Sequence, residues 1–288
     1  CMNITAKVIC DSVSEQGIRL TTMLVDYPRI VHAEQLKHRM FSTSAASSRA
    51  IPFAKMQEQL TGKPTRFGSA QAGMQDGGQL DKPIKFTDGY GTINCESASD
   101  FWDYAAGVAS DISGAFKDAG FHKQIYNRIT EPFQTMRVLI TATEWENFWW
   151  LRNDIAADPT LHETARIMKE AYDASKPKLL KAGEYHLPFV YYSTHYSDYY
   201  ITNEYGENFT ITLEEAIIVS CARCAAQSFR NTDYGLDKSK QVYDRLVNDD
   251  KVHAGALEHV ATPMKVAESD YRGLRLINVP SYPKSWQD

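Results

Sequence analysis

Two stretches near the N-terminus alternate apolar with other residues, and this pattern constrains the fold more than any other feature of the sequence. They are residues 4–10 (ITAKVIC) and 18–27 (IRLTTMLVDY), in which Thr, Val and Ile are common. A period of two predicts half-buried strands, and the short separation predicts that the two strands pair. Residues 135–142 (TMRVLITA) predict another strand.

The spacing of apolar residues elsewhere predicts helices. These cover Pro28 to Met40, Ala98 to Asn127, Thr143 to Arg152, Pro159 to Ser175, residues 213–229 and residues 238–248. The serine-rich residues 41–52 predict a polar loop, and residues 187–201 predict an extended aromatic segment. Strands and helices are mixed without a regular βαβ alternation. The predicted fold class is therefore α+β, a mixed or antiparallel sheet flanked by helices, and not a doubly wound sheet.

Composition excludes several classes of protein. The chain has 288 residues, of which 43% are apolar and 23% charged, which excludes a disordered chain, a collagen and a coiled coil. The longest apolar run is too short for a membrane span, and the first residues lack the pattern of a secretory signal, so we expect a cytoplasmic protein without a membrane partner. A net charge of −5 argues against duplex nucleic acid as a partner.

The cysteines do not suggest a disulfide framework in a chain of this length. They are Cys1, Cys10, Cys95, Cys221 and Cys224. Cys221 and Cys224 have the spacing of a redox or zinc motif, but they lie in an apolar helical run and no second such pair exists. Buried helical cysteines are the favoured interpretation, and no metal site is expected.

The densest polar cluster is Lys37-His38-Arg39 followed by Ser42, Ser44, Ser47, Ser48 and Arg49. Guanidinium forks and hydroxyl donors suit phosphate and carbonyl oxygens. The alternative is a basic helix end, stabilised by the helix dipole and followed by a serine-rich turn. Arg128, Arg152 and Arg223 have the same two interpretations. The sequence contains no Gly-rich dinucleotide motif or P-loop, which favours a site assembled from scattered Arg, Ser and aromatic side chains.

Several segments together resemble the flavin-dependent thymidylate synthases of the ThyX type. The matching segments are His38-Arg39-x-x-Ser42-x-Ser44-x-x-Ser47-Ser48-Arg49, Asn127-Arg128-Ile129-x-Glu131-Pro132, Asn147-Phe148-Trp149-x-Leu151-Arg152, Cys221-Ala222-Arg223-Cys224 and His253 to His259. The last two follow the His-Arg segment here, whereas they precede it in short members. The chain thus resembles a long or circularly permuted member of phage or bacterial type, in the cytoplasm of a bacterial cell or an infected host.

The resemblance implies one catalytic domain over residues 1–288, a probable insertion at about 62–100 and a homotetramer. It implies a flavin site of Lys37, His38, Arg39, Ser42, Asn147, Glu258 and His259, and a nucleotide site of Ser47, Ser48, Arg49, Arg128 and Arg152. Arg128 would bind the phosphate and Arg152 the pyrimidine. The implied catalytic residues are Arg152 and Ser47, and Ser47 is interpreted as a hydrogen-bond donor because no base lies beside it in the sequence.

The implied reaction transfers a one-carbon unit from methylenetetrahydrofolate to C5 of dUMP and gives dTMP. FAD reduced by NADPH supplies the hydride. Lys37, Ser44 and Ala45 stand where the family pattern has Arg, Asn and Glu. These departures leave open a hydroxymethylase or an enzyme acting on dCMP. A third possibility is a non-catalytic nucleotide-binding protein on the same scaffold.

Overall fold

A computed structural model describes residues 4–202, 205–229, 235–247, 252–266 and 276–277. The strands are β1 Thr5–Ser14, β2 Arg19–Pro28, β3 Ser42–Ala45, β4 Ile84–Thr87, β5 Thr92–Cys95, β6 Thr135–Ala142, β7 Lys178–Leu180, β8 Tyr191–Ser193, β9 Asp198–Thr202, β10 Asn208–Ile211, β11 Lys265–Val266 and β12 Leu276–Ile277. The α-helices are α1 His32–Gln35, α2 Phe53–Gln57, α3 Ala98–Asp118, α4 Lys123–Ile129, α5 Glu146–Arg152, α6 Pro159–Ala174, α7 Leu213–Ala225 and α8 Leu236–Val247. The 3-10 helices are Arg29–Val31, Glu131–Phe133, Ala226–Phe229 and Ala254–His259.

The central sheet has five strands in the order β3-β6-β2-β1-β7. All neighbours pair antiparallel except β1 and β7, which run parallel. A mixed sheet with helices on both faces confirms the predicted α+β class, and the strands predicted at the N-terminus and at 135–142 are confirmed. Among the described residues, no helix has both the length and the apolar character needed to cross a bilayer.

The two faces of the sheet differ in chemistry. One face is apolar and packs on α5 and α6 through a core that includes Met23, Val138, Trp145 and Phe148. The other face carries hydroxyl side chains, and α7 together with the 3-10 helix Ala254–His259 lies over it. The candidate site includes residues of the second face and of the edge strand β3, and its Arg152–His38 pair packs beside the apolar core.

A β-bulge in β1 decides which residues reach the polar face. Val8 pairs with Met23, but the next pair joins Cys10 to Thr22, so Ile9 is the extra residue. An extra residue turns every later side chain to the opposite face of the sheet. Ser12 therefore lies on the same face as Thr22, whereas Val8 packs against the apolar core.

The predicted helix from Pro28 to Met40 is wrong in length. Only Arg29–Val31 and α1 are helical, and turns follow to residue 40. Leu36 and Met40 are exposed, so a longer helix would have no second apolar row to bury. The turn bond from the Phe41 N–H to the His38 carbonyl instead returns the chain to the core at Phe41.

The polar loop predicted at 41–52 is only partly a loop, since Ser42–Ala45 form β3 and pair with β6. The predicted helix from Ala98 to Asn127 is two helices, because Gly120 adopts a left-handed φ of 86° that ends α3. The aromatic segment 187–201 contains the β8–β9 turn, where Ser197 has a φ of 56°. The helix predicted at 143–152 begins at Glu146, and α6 agrees with its prediction to one residue. Residue 248 lies outside the described residues.

Helix α6 depends on a side-chain cap at its first turn. The Asp158 carboxylate accepts hydrogen bonds from the backbone N–H groups of Thr160 and Leu161, at 2.9 and 3.0 Å. We expect Asp158→Ala to lower the free energy of unfolding by about 1 kcal/mol, measured by urea unfolding. Asp158→Asn is the matched control because Asn caps equally well, and equal losses in both variants would contradict the role of the cap.

Candidate functional site

Arg152 and His38 form the first part of the site, where α5 ends beside the turn after α1. The Arg152 Nε–H donates to His38 Nε2 at 3.0 Å, so the proton of a neutral His38 lies on Nδ1. The pKa of His38 is lowered, first by burial and then by the charge of Arg152. Phe41 and Phe148 pack on the imidazole, with ring centroids 5.7 and 4.9 Å from it. The structure thus brings together two predicted site residues from distant segments.

The second part of the site lies where α4 meets the serine-rich loop, and Asn127 joins the two. Its buried side-chain amide donates to the Ser48 and Ile51 carbonyls at 2.8 and 2.9 Å, which holds the end of α4 against the serine-rich loop. Arg49 and Arg128 are the immediate neighbours of these residues in sequence, and both are exposed. Within the described ranges, neither guanidinium makes an ion pair or a hydrogen bond. Two exposed guanidinium groups next to one junction suit a phosphate.

Ser48 has a different environment from the one expected. It is buried, and its hydroxyl donates to Glu131 Oε1 at 2.6 Å, while Arg29 binds the same oxygen at 2.9 Å. These contacts brace the loop that carries Ser47 and Arg49. A direct contact between Ser48 and a nucleotide stays a prediction.

His259 and Ser44 form the third part, at the edge strand β3. Ser44 Oγ lies 2.9 Å from His259 Nε2, and Thr141 Oγ1 lies 2.7 Å from Nδ1 of the same ring. Burial, and then the neighbouring His186, lower the pKa of His259 to about 3, so the ring is neutral. A cavity of about 430 Å³ opens beside Ser44 and Ala45, with residues 253–256 on its other side.

The remaining predicted residues are more scattered. Lys37 and Arg39 are exposed in the turn after α1, and Asn147 is exposed on α5. Ser42 pairs with Thr141 across the sheet, and Glu258 is half-buried in the 3-10 helix beside His259. Their proposed contacts with a flavin stay predictions.

Arg223 and the buried cysteines belong to the structure of the core. The two terminal amino groups of Arg223 donate to the carbonyls of Phe189 and Thr202 at 2.9 and 3.0 Å. Cys221 and Cys224 are buried on α7, as predicted, and burial raises the pKa of Cys221 to about 12. Within the described ranges, no three His, Cys, Asp or Glu side chains are placed to hold a metal ion.

Sequence reasoning missed Thr22, Thr141 and His186, which extend the contacts of His259 across the sheet. Thr22 Oγ1 lies 2.6 Å from Thr141 Oγ1 and 2.8 Å from His186 Nε2. The two threonines lie 119 positions apart in the chain and look like ordinary strand residues. His186 has no neighbouring residue that marks it as part of a site.

The side chains that the family resemblance assigns to the flavin site include donor groups that fit FAD. The cations of Lys37 and Arg39 are exposed and suit a diphosphate. The cavity beside Ser44 has His253 and the backbone of Gly255 on one wall and β3 on the other, which suits part of a planar ring.

No family model matches the chain, and no curated protein matches it. Two solved structures of PolB from Streptomyces cacaoi, a UMP/dUMP methylase bound with 5-Br dUMP or with 5-Br UMP, are similar to 60% of this chain. The matches cover 90% and 89% of those chains at 13% and 14% sequence identity, with TM-scores of 0.40 and 0.41. Both scores are too low for either match to decide the fold or the activity of this chain.

Proposed function

We propose that this chain catalyses the flavin-dependent transfer of a one-carbon unit from methylenetetrahydrofolate to C5 of dUMP, which gives dTMP. The observation that carries the proposal is the junction at Asn127, which holds Arg49 and Arg128 as exposed cations at the end of the family-like serine-rich loop. A mononucleotide phosphate is the ligand class that two guanidinium forks and a hydroxyl-rich loop recognise best.

Arg152 is the residue proposed to act on the pyrimidine. When C5 becomes nucleophilic, negative charge develops on the uracil carbonyl oxygens, and a fixed guanidinium stabilises it. The hydrogen bond from Arg152 Nε to His38 leaves the terminal amino groups to face a substrate, apart from a distant contact of 3.9 Å to Glu34. Ser47 is proposed to donate a hydrogen bond to the nucleotide.

Lys37, Arg39, Ser42, Asn147 and Glu258, together with His38 and His259, are proposed to hold FAD. Bound FAD, reduced by NADPH, supplies the hydride that completes the methyl group. Since Nε2 of His38 accepts from Arg152, Nδ1 is the atom that can donate to a ligand. We further propose that the sites are completed between subunits of a homotetramer, which size measurement by light scattering tests.

The environment of Ser44 supports a related reaction as a second candidate. Ser44 replaces an Asn of the family pattern, and its hydroxyl is bonded to His259 rather than presented alone. A hydroxymethylated product, or dCMP as substrate, is the second candidate. Mass spectrometry of the product distinguishes the two, since dTMP alone from dUMP would exclude this candidate.

The proposal is tested with the purified full chain. We expect a yellow protein that releases tritium from C5-labelled dUMP when methylenetetrahydrofolate and NADPH are present. A colourless protein that does not bind added FAD would contradict the proposal. Tight dUMP binding without flavin reduction by NADPH would instead indicate a non-catalytic nucleotide-binding protein.

The phosphate site gives a separate prediction. We expect Arg49→Ala and Arg128→Ala each to weaken dUMP binding by about 10- to 100-fold, because each removes one charge-assisted hydrogen bond. Binding is measured by calorimetry, and stability should change little because both side chains are exposed. Lys85→Ala, which removes an exposed cation on β4, is the matched control. Equal affinity in all three variants would place the phosphate elsewhere.

A further inference from the structure

Five hydrogen bonds join six side chains in one row across four strands of the central sheet. The row runs Ser44, His259, Thr141, Thr22, His186 and Ser12. Its distances are 2.9, 2.7, 2.6, 2.8 and 2.8 Å in that order. The four inner side chains are at most 3% exposed, so water does not interrupt the row.

Each end of the row meets a cavity. Ser44 lines the cavity of the candidate site. Ser12 lines a second cavity of about 260 Å³, with mostly aliphatic walls such as Leu20, Leu180 and Met264. Ser12 is placed there by the bulge at Ile9, which turns it to the polar face of the sheet.

In the inner part of the row, the direction of one hydrogen bond fixes the direction of the next. Burial lowers the pKa of both His186 and His259 to about 3, so each ring is neutral and has one N–H and one bare nitrogen. A neutral imidazole that accepts on one side donates on the other. A hydroxyl between two partners can also accept from both, but its own proton then has no partner in the row, so it uses every donor only when it accepts on one side and donates on the other.

Only two proton arrangements form all five bonds and also give every N–H of the two rings and every threonine O–H a partner in the row, with both rings protonated on Nδ1 or both on Nε2. If His259 carried its proton on Nε2 and His186 on Nδ1, the oxygens of Thr22 and Thr141 would lie 2.6 Å apart without a proton between them. If His259 carried its proton on Nδ1 and His186 on Nε2, one threonine hydroxyl proton would lack a partner in the row. Either defect is costly in a buried site.

We propose that Thr141, Thr22 and His186 are positioning residues that set which nitrogen of His259 carries the proton, and thereby whether Ser44 accepts or donates a hydrogen bond at the candidate site. With protons on both Nδ1 atoms, Ser44 donates to His259 and presents lone pairs to its cavity. With protons on both Nε2 atoms, Ser44 accepts from His259 and presents its hydroxyl proton. The proposal rests on the proposed function only for the identity of the ligand beside Ser44.

The test is nitrogen-15 NMR of the imidazoles in the full chain without flavin or nucleotide, so that it is independent of the activity assay. Ser12→Ala removes the partner of His186 Nδ1, and a buried N–H without an acceptor costs more than a bare nitrogen. We therefore expect both rings to carry the proton on Nε2 in Ser12→Ala and on Nδ1 in Ser44→Ala. One of the two variants must then reverse both rings relative to the wild type.

Thr22→Val, which removes the central hydroxyl while keeping the shape, gives a second measurement. When Ser12→Ala is combined with Thr22→Val, we expect the proton of His259 to stay on the nitrogen that carries it without Ser12→Ala. When Ser12→Ala is combined with Thr22→Ser, we expect both rings to carry the proton on Nε2. Opposite tautomers in the wild type would overturn the proposal. The proposal would also be overturned if Ser12→Ala or Ser44→Ala changed the tautomer of the adjacent ring only. Thr22→Ser is the control for folding, because it keeps the hydroxyl that Thr22→Val removes.

Discussion

Acidification from pH 8 to pH 5 should lower the free energy of unfolding by about 4 kcal/mol through His186 and His259 alone. Burial lowers the pKa of each ring from 6.5 to about 3 in the folded protein. The unfolded chain therefore binds these two protons below pH 6.5 while the folded chain does not, and stability is lost as the pH falls. Each ring contributes about 2 kcal/mol of the change.

Urea unfolding at the two pH values measures this effect. His186→Gln removes one titrating group and keeps an amide donor and acceptor, so its change between pH 8 and pH 5 should be smaller by about 2 kcal/mol. Burial also lowers the pKa of His32, to about 4, and this group acts in the same direction in both proteins. An equal pH dependence in wild type and variant would show that His186 is not held neutral.

Arg152→Ala should abolish measurable turnover, a loss of at least about 10²- to 10³-fold, while FAD remains bound. The guanidinium is proposed to stabilise the charge that develops on the pyrimidine, and it also fixes the ring of His38 through a 3.0 Å hydrogen bond. Release of tritium from C5-labelled dUMP measures turnover, and flavin absorbance measures retention of the cofactor. Full activity in this variant would refute the role of Arg152.

Two further variants separate charge from geometry at this position. Arg152→Lys keeps a cation but loses the Nε–H that binds His38, so we expect it to recover little activity. Arg166→Ala removes an arginine whose ion pairs with Glu163 and Glu170 lie on α6. It should leave turnover unchanged.

The sequence was sufficient for the parts of the fold that repeat a pattern. The alternation in residues 18–27 and the strand-like composition of residues 135–142 predicted two central strands, and apolar spacing predicted α6 to within one residue. It was not sufficient for β3, because a serine-rich stretch has the composition of a loop. Ser42–Ala45 form a strand because β6 supplies backbone partners and His259 supplies a partner for Ser44.

The candidate site was predicted in its charged residues and missed in its buried ones. Arg49, Arg128 and Arg152 have residue types and neighbours that indicate anion binding. Thr22 and His186 belong to the site because they contact each other although they lie 164 positions apart in the chain. No local sequence pattern indicates such a contact. The bulge at Ile9 was missed for the same reason, since it is defined by the register of β1 against β2.

That bulge changes what each position of β1 tolerates. Before Ile9, the even-numbered residues Ala6 and Val8 pack on the apolar core, whereas beyond it the even-numbered Ser12 reaches the polar row. The odd-numbered side chains change faces in the other direction, from the polar face before Ile9 to the apolar face beyond it. Asp11, for example, contacts Arg19 and Thr21 on the apolar side. Substitution preferences along this one strand should therefore invert at Ile9, and a chain aligned by alternation alone would slip by one residue there.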